Sequence, residues 1–253
     1  MAAVEPIPGA PVAVVTTANV RLLVLADYHA GIELRFKQNG VEIPSRADER
    51  RETVCSLLDR TNASRLVIVG DLATDIGRPS ATERDEIERL FEAVAGTVPI
   101  TIVKGNHDGD LETLVDEVKF EHDISVTDSD GWRFGAVGFV HGHTWPAEDV
   151  LDASILVMGH EHPMVNLTDA VGGGSTERVW LRGALDPTPF EPHTSSQLLD
   201  PGSLVVCPAF NDLTGGTWIN TSQTFLAPFL PDGINDGQAY LLNGTRLGPY
   251  GNI

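Results

Sequence analysis

Short apolar runs rich in valine, isoleucine and leucine recur along the chain, and each run ends in a polar residue or a glycine. Runs of this length and composition are typical of buried strands. We predict strands at residues 22–26, 66–70, 100–104, 134–140, 155–159, 179–183 and 204–207.

Helical periodicity separates the first three predicted strands. The clearer helix begins after Ser80, which has Glu83 at the spacing of a capping box, and ends at Gly96. We predict a second helix at residues 46–61 and a weaker one at residues 111–118. The first half of the chain therefore has a βαβαβ order and the second half is mostly β.

The length of 253 residues favours one domain over residues 1–253. Hydrophobic residues make up 42% of the chain, and no apolar run approaches the roughly 20 residues of a membrane span, so we expect no membrane partner. The first eight residues contain an acid and two prolines instead of the basic and apolar regions of a secretory signal. We therefore expect a cytoplasmic protein.

The charge balance is strongly acidic, with 36 acids, 17 bases and a formal net charge of −19. This composition is typical of a halophilic protein, and its field repels nucleic acid at low ionic strength. The two cysteines, Cys55 and Cys207, lie 152 positions apart in apolar settings. Their spacing matches neither a metal site nor a disulfide framework, so we expect two buried free thiols.

Five short polar motifs follow predicted strands, and they contain six of the eight histidines. A single aspartate after a strand is often a turn or cap residue, and a single histidine is usually structural. Their joint occurrence favours a metal site, because open α/β sheets gather ligands at the carboxyl ends of strands. The motifs are Asp27-Tyr28-His29, Gly70-Asp71, Gly105-Asn106-His107-Asp108, His141-Gly142-His143 and Gly159-His160-Glu161-His162.

In order and spacing these motifs resemble the set found in calcineurin-like metallophosphoesterases, over about residues 22–166. The resemblance implies an α/β (α+β) fold, a four-layer αββα sandwich of two mixed β-sheets flanked by helices. Accessory strands and a proline-rich excursion would then occupy residues 179–220. It also implies two metal ions, the first held by Asp27, His29, Asp71 and His162, and the second by Asp71, Asn106, His141 and His160.

The ligand types suit divalent transition metals, with manganese the first candidate and iron, zinc, cobalt and nickel also open. Two such ions can orient a bridging hydroxide for in-line attack on a phosphodiester. His107 would protonate the leaving oxygen, and Asp108 would either fix the tautomer of His107 or serve as a turn residue. His143 and Glu161 are expected to support the ligands or face the substrate.

A second resemblance concerns the substrate. It is carried by Gly159-His160-Glu161-His162-Pro163 and Pro208-Ala209-Phe210-Asn211, which resemble archaeal SbcD-related phosphoesterases and the ligase-associated endonuclease PdeM. It implies a phosphodiesterase and raises a DNA nuclease in repair as a candidate. The alternatives are a small-molecule phosphodiesterase or nucleotide phosphatase, and a non-catalytic scaffold. Residues 186–202 could dock a protein partner, and the sequence leaves the oligomeric state open.

Overall fold

The computed structural model describes residues 2–117, 121–168, 172–195, 202–221 and 224–253. Within these ranges the strands are β1 (Ala3–Pro6), β2 (Val12–Thr17), β3 (Val20–Leu25), β4 (Arg65–Val69), β5 (Ile100–Val103), β6 (Ile124–Thr127), β7 (Trp132–Phe134), β8 (Val137–Val140), β9 (Ile155–Met158), β10 (Met164–Thr168), β11 (Gly174–Leu185), β12 (Ser203–Val206), β13 (Ile234–Leu241) and β14 (Arg246–Pro249). The α-helices are α1 (Ile32–Gln38), α2 (Ala47–Thr61), α3 (Ala81–Ala95), α4 (Leu111–Glu117) and α5 (Glu148–Leu151), and short 3-10 helices occupy Thr188–His193 and Tyr250–Asn252.

The first sheet has the strand order β1-β2-β3-β4-β5-β6. Its strands β3 to β6 are parallel, while β1 and β2 are antiparallel to their neighbours. Leu25 pairs with Ile68, and Ile68 pairs with Ile102. The segments that follow β3, β4 and β5 therefore leave the sheet side by side at one edge.

The second sheet has the order β14-β13-β11-β12-β9-β8-β7, and β10 pairs with β11. Its central strands β8, β9 and β12 are parallel, and the pairs around them are antiparallel. Val140 pairs with Met158, so the motifs that follow β8 and β9 also emerge next to each other. Both sheets are mixed.

Apolar side chains join the layers. Val24 and Val67 of the first sheet pack with Phe139, Val157 and Trp180 of the second, forming the core between the sheets. Buried residues of α2, α3 and α4 cover the outer face of the first sheet. The outer face of the second is covered by α5, a 3-10 helix and loop residues including Phe229. The αββα order is confirmed, although its fourth layer contains little α-helix.

The predicted strands and helices are found, with one clear error. Residues 134–140 form two strands, β7 and β8, instead of one, because Gly135 turns the chain with a φ of 60°. The capping box of α3 is confirmed: Ser80 Oγ accepts from the Glu83 amide, and a Glu83 carboxylate oxygen accepts from the Ser80 amide at 2.7 Å. Residue 118, the expected end of the weak helix, lies outside the described residues.

Other expectations are met in part. Cys207 is buried, but Cys55 is only partly buried, because it lies at the edge of the core formed by α2. In the proline-rich segment, a 3-10 helix buries Phe190 against Phe229, whereas residues 196–201 are not described. No helix in the described part of the chain is long and apolar enough to cross a bilayer.

Candidate metal centre and substrate cavity

The candidate ligands converge where the two sheets present their strand ends. They form two groups, Asp27 with His29 and His162, and Asp71 with His141 and His160. Within each group the ligand atoms lie within 4.8 Å of one another. These six residues were all singled out by the motifs, and the chain separates Asp27 from His162 by 135 positions.

The first group contains two imidazole nitrogens that face each other. His162 Nε2 lies 3.4 Å from His29 Nε2 and 3.2 Å from Asp27 Oδ1. His162 Nδ1 lies 2.8 Å from the carbonyl oxygen of Gly215, which can only accept, so Nδ1 carries the proton. In the neutral ring, the Nε2 lone pair then faces the carboxylate and the second imidazole, an arrangement that favours a cation between them.

The second group has the same arrangement of donors around a more deeply buried imidazole. His141 Nδ1 donates to the Val69 carbonyl oxygen at 3.1 Å, which leaves the lone pair on Nε2 in the neutral ring. His141 Nε2 lies 3.2 Å from Asn106 Oδ1, 3.2 Å from His160 Nδ1 and 3.3 Å from Asp71 Oδ2. Nitrogen and oxygen donors packed this closely favour a positive charge at their centre, either a proton or a metal ion.

The protonation equilibria prepare these donors for a metal. Burial opposes ionisation of Asp27 and Asp71, but the neighbouring histidines hold the pKa of both carboxyls below the ordinary value. Burial lowers the pKa of His29 and of His160 to about 4. At neutral pH the two carboxylates are therefore charged and these two imidazoles neutral, which are the forms that bind metal ions.

His162 and His141 differ from the other two imidazoles. Burial disfavours the charged form of His162, but Asp27 raises its pKa above the ordinary value. The same balance holds for His141. Burial disfavours its charged form, but Asp71 and Asp27 raise its pKa to about 9. A metal ion at this group would have to displace that proton, so metal binding should release protons to solvent.

Two glycines of the motifs leave room for the ligands. A Cβ atom on Gly105 would collide with the Asp71 carboxylate and its amide. Gly70 has a φ of 77°, and a Cβ atom there would collide with the His141 ring. These close approaches explain why glycine precedes both Asp71 and Asn106.

The sequence model of the family described as "Calcineurin-like phosphoesterase" matches residues 20–164, which is more than half of the chain. The chain belongs to this family. It is therefore a metal-dependent phosphoesterase, and members of the family bind two divalent metal ions. The matched range contains all five polar motifs, and the donor set described above fits two such ions.

One solved structure shows the same architecture. A Pseudomonas putida nuclease, MPE, aligns over 97% of this chain and 100% of its own, with a TM-score of 0.55 and 19% identity. YfcE, a phosphoesterase from E. coli, aligns over 59% of this chain and 74% of its own, with a TM-score of 0.35 and 22% identity. No curated protein sequence matches this phosphoesterase significantly. At these identities the likeness to MPE establishes the fold.

His107 lies beside the metal-ligand groups of the phosphoesterase. Its backbone amide donates to Asp71 Oδ1 at 2.9 Å, and its Nδ1 donates to the Thr74 carbonyl oxygen at 2.5 Å. The remaining ring nitrogen, Nε2, lies 3.9 Å from Asp71 Oδ2, on the side of the cavity. The backbone therefore fixes which nitrogen of His107 faces the centre.

The position of Asp108 does not match the first of its two expected roles, which was to fix the tautomer of His107. Its carboxylate is buried and accepts from the Gly105 amide at 2.9 Å and from the Ala73 amide at 3.1 Å. Burial raises its pKa to about 6. Since the Thr74 carbonyl occupies His107 Nδ1, the geometry favours the turn role, in which Asp108 ties the segment after β5 to the segment after β4.

Glu161 and His143 surround the centre without joining the two groups. The buried Glu161 carboxylate accepts from Thr217 Oγ1 at 2.8 Å and from the amides of Leu226 and Ala227 at 2.8 and 2.7 Å. Glu161 lies between His160 and His162 in the chain, and it therefore anchors two loops next to these ligands. The half-buried His143 ring lies 5.3 Å from that of His141, measured between centroids.

A cavity of about 600 Å³ opens over both metal-ligand groups. One wall is α1, through Ile32, Arg35 and Phe36, and the facing wall includes residues 213–217 and Leu226. These wall residues lie outside the five polar motifs of the sequence. Helix α1 has only seven residues, too few to show clear periodicity, although its position directly after Asp27-Tyr28-His29 was a usable signal.

Proposed function

We propose that this phosphoesterase hydrolyses phosphodiesters at a two-metal centre. The observation that supports the proposal best is the position of Asp71. One oxygen of its carboxylate, Oδ2, lies 3.3 Å from His141 Nε2 in the second group and 4.0 Å from His29 Nε2 in the first. A carboxylate between two groups of donors can hold two cations at once.

The proposed ligands of the first ion are Asp27, His29, Asp71 and His162, and those of the second are Asp71, Asn106, His141 and His160. Manganese is the first candidate, since the donors combine imidazole, carboxylate and amide oxygen. When bound, two such ions would supply positive charge that attracts the phosphate, and they would make a hydroxide-like nucleophile available at neutral pH.

His107 is the proposed general acid. The Thr74 carbonyl holds its Nδ1 proton, so a proton on Nε2 is the one that can be donated to the leaving oxygen of the ester. Asp108, by tying together the backbones of Gly105 and Ala73, positions the loop that carries His107. It is a positioning residue in this scheme.

Two substrate classes follow from different observations. A DNA strand is the class suggested by the motif resemblance, and one fold neighbour, MPE, is named a nuclease. The net charge of −19 favours the other class, a small diester or nucleotide, since an acidic surface repels polyanions at low salt. Both classes share the chemistry at the metal centre.

The test is hydrolysis of bis-p-nitrophenyl phosphate and of p-nitrophenyl phosphate in high salt, with manganese or with chelator. We expect manganese-dependent turnover of the diester, abolished by chelator and reduced roughly 10²–10⁴-fold in His107→Ala. His122→Ala is the matched control, because His122 lies next to the amino end of β6, away from the metal edge. Folded protein that hydrolyses neither ester with any divalent transition metal would overturn the proposal in favour of a scaffold.

A further inference from the structure

Arg35 is a cation in the wall of the cavity, and no salt bridge among the described residues involves it. It is exposed on α1 and lines the cavity together with His29, Asp71 and His107. Asp75 lies near enough for its charge to interact with that of Arg35, but the two side chains form no ion pair. Because Arg35 lines the cavity and forms no ion pair with any described residue, its guanidinium is available for an anion from outside.

The scissile phosphate does not account for this arginine. A phosphodiester carries a single negative charge, and the proposed metal centre already supplies the cations that bind it. A guanidinium prefers planar, two-point contact with phosphate or carboxylate oxygens. Arg35 therefore suits a second anionic group of the same substrate.

The residues beside Arg35 are apolar. Phe36 and Ile32 line the same wall, and Leu226, 62% exposed, lies at the cavity as well. An aromatic ring and aliphatic side chains beside a phosphate-binding arginine suit the flat face of a nucleobase. A cavity of about 600 Å³ is within the size range of pockets that hold a drug-sized molecule, so it has room for one nucleotide of a longer substrate.

We propose that Arg35 binds a second phosphate and that Phe36 contacts the adjoining base, so that the substrate is single-stranded nucleic acid. This inference rests on the proposed phosphodiesterase function and specifies its substrate. Single strands are favoured over duplexes for two reasons. An unpaired base can reach Phe36, and a duplex would bring twice the backbone charge per length towards a protein of net charge −19.

The test compares Arg35→Gln with Lys37→Gln. Both substitutions remove one positive charge from α1, but Lys37, two residues further on, points away from the face of Arg35 and does not line the cavity. The substrates are bis-p-nitrophenyl phosphate, dithymidylate, and dithymidylate with a 5′-phosphate. Steady-state kcat and KM are measured for each at constant salt.

We expect Arg35→Gln to raise KM for the 5′-phosphorylated dinucleotide about tenfold, a loss of the size typical for one charge-assisted contact. It should change kcat/KM for bis-p-nitrophenyl phosphate less than about twofold, and Lys37→Gln should change neither. Phe36→Leu, which keeps the apolar volume but removes the ring, should raise KM for both dinucleotides alike, whereas Arg35→Gln should raise it only for the one with the 5′-phosphate.

Equal effects of Arg35→Gln and Lys37→Gln would overturn the inference, since they would show a general charge effect. So would a parent enzyme that hydrolyses bis-p-nitrophenyl phosphate but gains nothing from the 5′-phosphate. Failure of the parent to hydrolyse any of the three substrates would instead refute the proposed function. Preferred cleavage of duplex over single-stranded DNA would also contradict the inference.

Discussion

Replacing Arg50 by alanine should destabilise the fold more than any surface charge substitution. Its guanidinium, on α2, donates to both carboxylate oxygens of Glu33 at 2.8 and 3.0 Å, and to both of Glu86 at 2.8 and 3.0 Å. The side chains of Arg50, Glu33 and Glu86 are 8%, 9% and 5% exposed. Glu86 also accepts from the Gly31 amide, two residues after His29. The trio therefore joins α1, α2 and α3 behind the first metal motif.

Arg50→Ala leaves two carboxylates buried without a cation. Removing one partner from a buried ion pair costs about 3–5 kcal/mol, because the remaining charge is desolvated and uncompensated. For a chain of this size 1 kcal/mol corresponds to about 2–4 °C, so the melting temperature should fall by roughly 6–20 °C. Arg46→Ala is the control. Its pair with Asp212 is 41% and 54% exposed, and such pairs contribute less than about 1 kcal/mol.

The assay is denaturant and thermal unfolding followed by circular dichroism at fixed high salt. Its pH dependence gives a second criterion. Although burial raises the pKa of Glu33, its bonds to Arg50 outweigh this and hold the pKa below the ordinary value of 4.5. A depressed carboxyl pKa contributes stability above the unfolded pKa, and this stability is lost as pH falls. The deficit of Arg50→Ala should thus shrink below about pH 4.5. A deficit at neutral pH no larger than that of Arg46→Ala would refute the reasoning.

Three further predictions concern the metal centre and the charged surface. Chelation should lower the melting temperature by about 5–10 °C, because ions present at 100-fold above their Kd stabilise by about 2.7 kcal/mol. Calorimetry that shows no shift would contradict a two-metal centre. Gly105→Ala should lower the number of bound metals per chain, measured by mass spectrometry, because its Cβ meets the Asp71 carboxylate; Gly251→Ala, in open space and without a positive φ, is the control. Oligonucleotide turnover should first rise with potassium chloride as salt screens the net charge of −19, and a steady fall from low salt would contradict this.

The strands that carry the metal motifs could be predicted because they are buried on both faces. A continuous apolar run such as that of β4 (Arg65–Val69), when a polar motif ends it, is compatible with few structures other than a buried strand. Some strands without a metal motif gave weaker patterns. Strand β13 (Ile234–Leu241) mixes buried and exposed positions and includes Asp236 and Gly237, so its sequence has no continuous apolar run. Pairing with β11 makes it a strand, and that pairing is a tertiary effect.

The candidate ligands were predictable, but the walls of the cavity were not. Ligands are recognisable from residue type because few other roles require both imidazole and carboxylate at neighbouring strand ends. Arg35 and Phe36 are ordinary residue types, and they reach the cavity only because Gly31 and the Arg50 trio set the direction of α1. Glu161 belongs to a motif that the sequence shows, yet its part in holding the amides of Leu226 and Ala227 depends on a loop 65 positions away.

The convergence of the ligands has a different backbone origin from the one that the sequence suggests. Residues two apart in an extended strand would point the same way. The side chains of Asp27 and His29 do converge, but their backbone is not extended. Both have left-handed backbones, with φ of 58° and 48°, as do Asp71, His160 and His162 at 50°, 69° and 44°.

Such conformations cost of order 1 kcal/mol or more each in residues with a side chain. They persist here because the fold determines the backbone on both sides. The amides of Asp27 and His29 donate to the carbonyls of Gly70 and Asp71, and the His160 amide donates to Asp27. The chain must curl at each strand end to aim a ligand inward, and the hydrogen bonds between neighbouring motifs hold that curl. The strain is thus a consequence of directing side chains from two sheets into one centre.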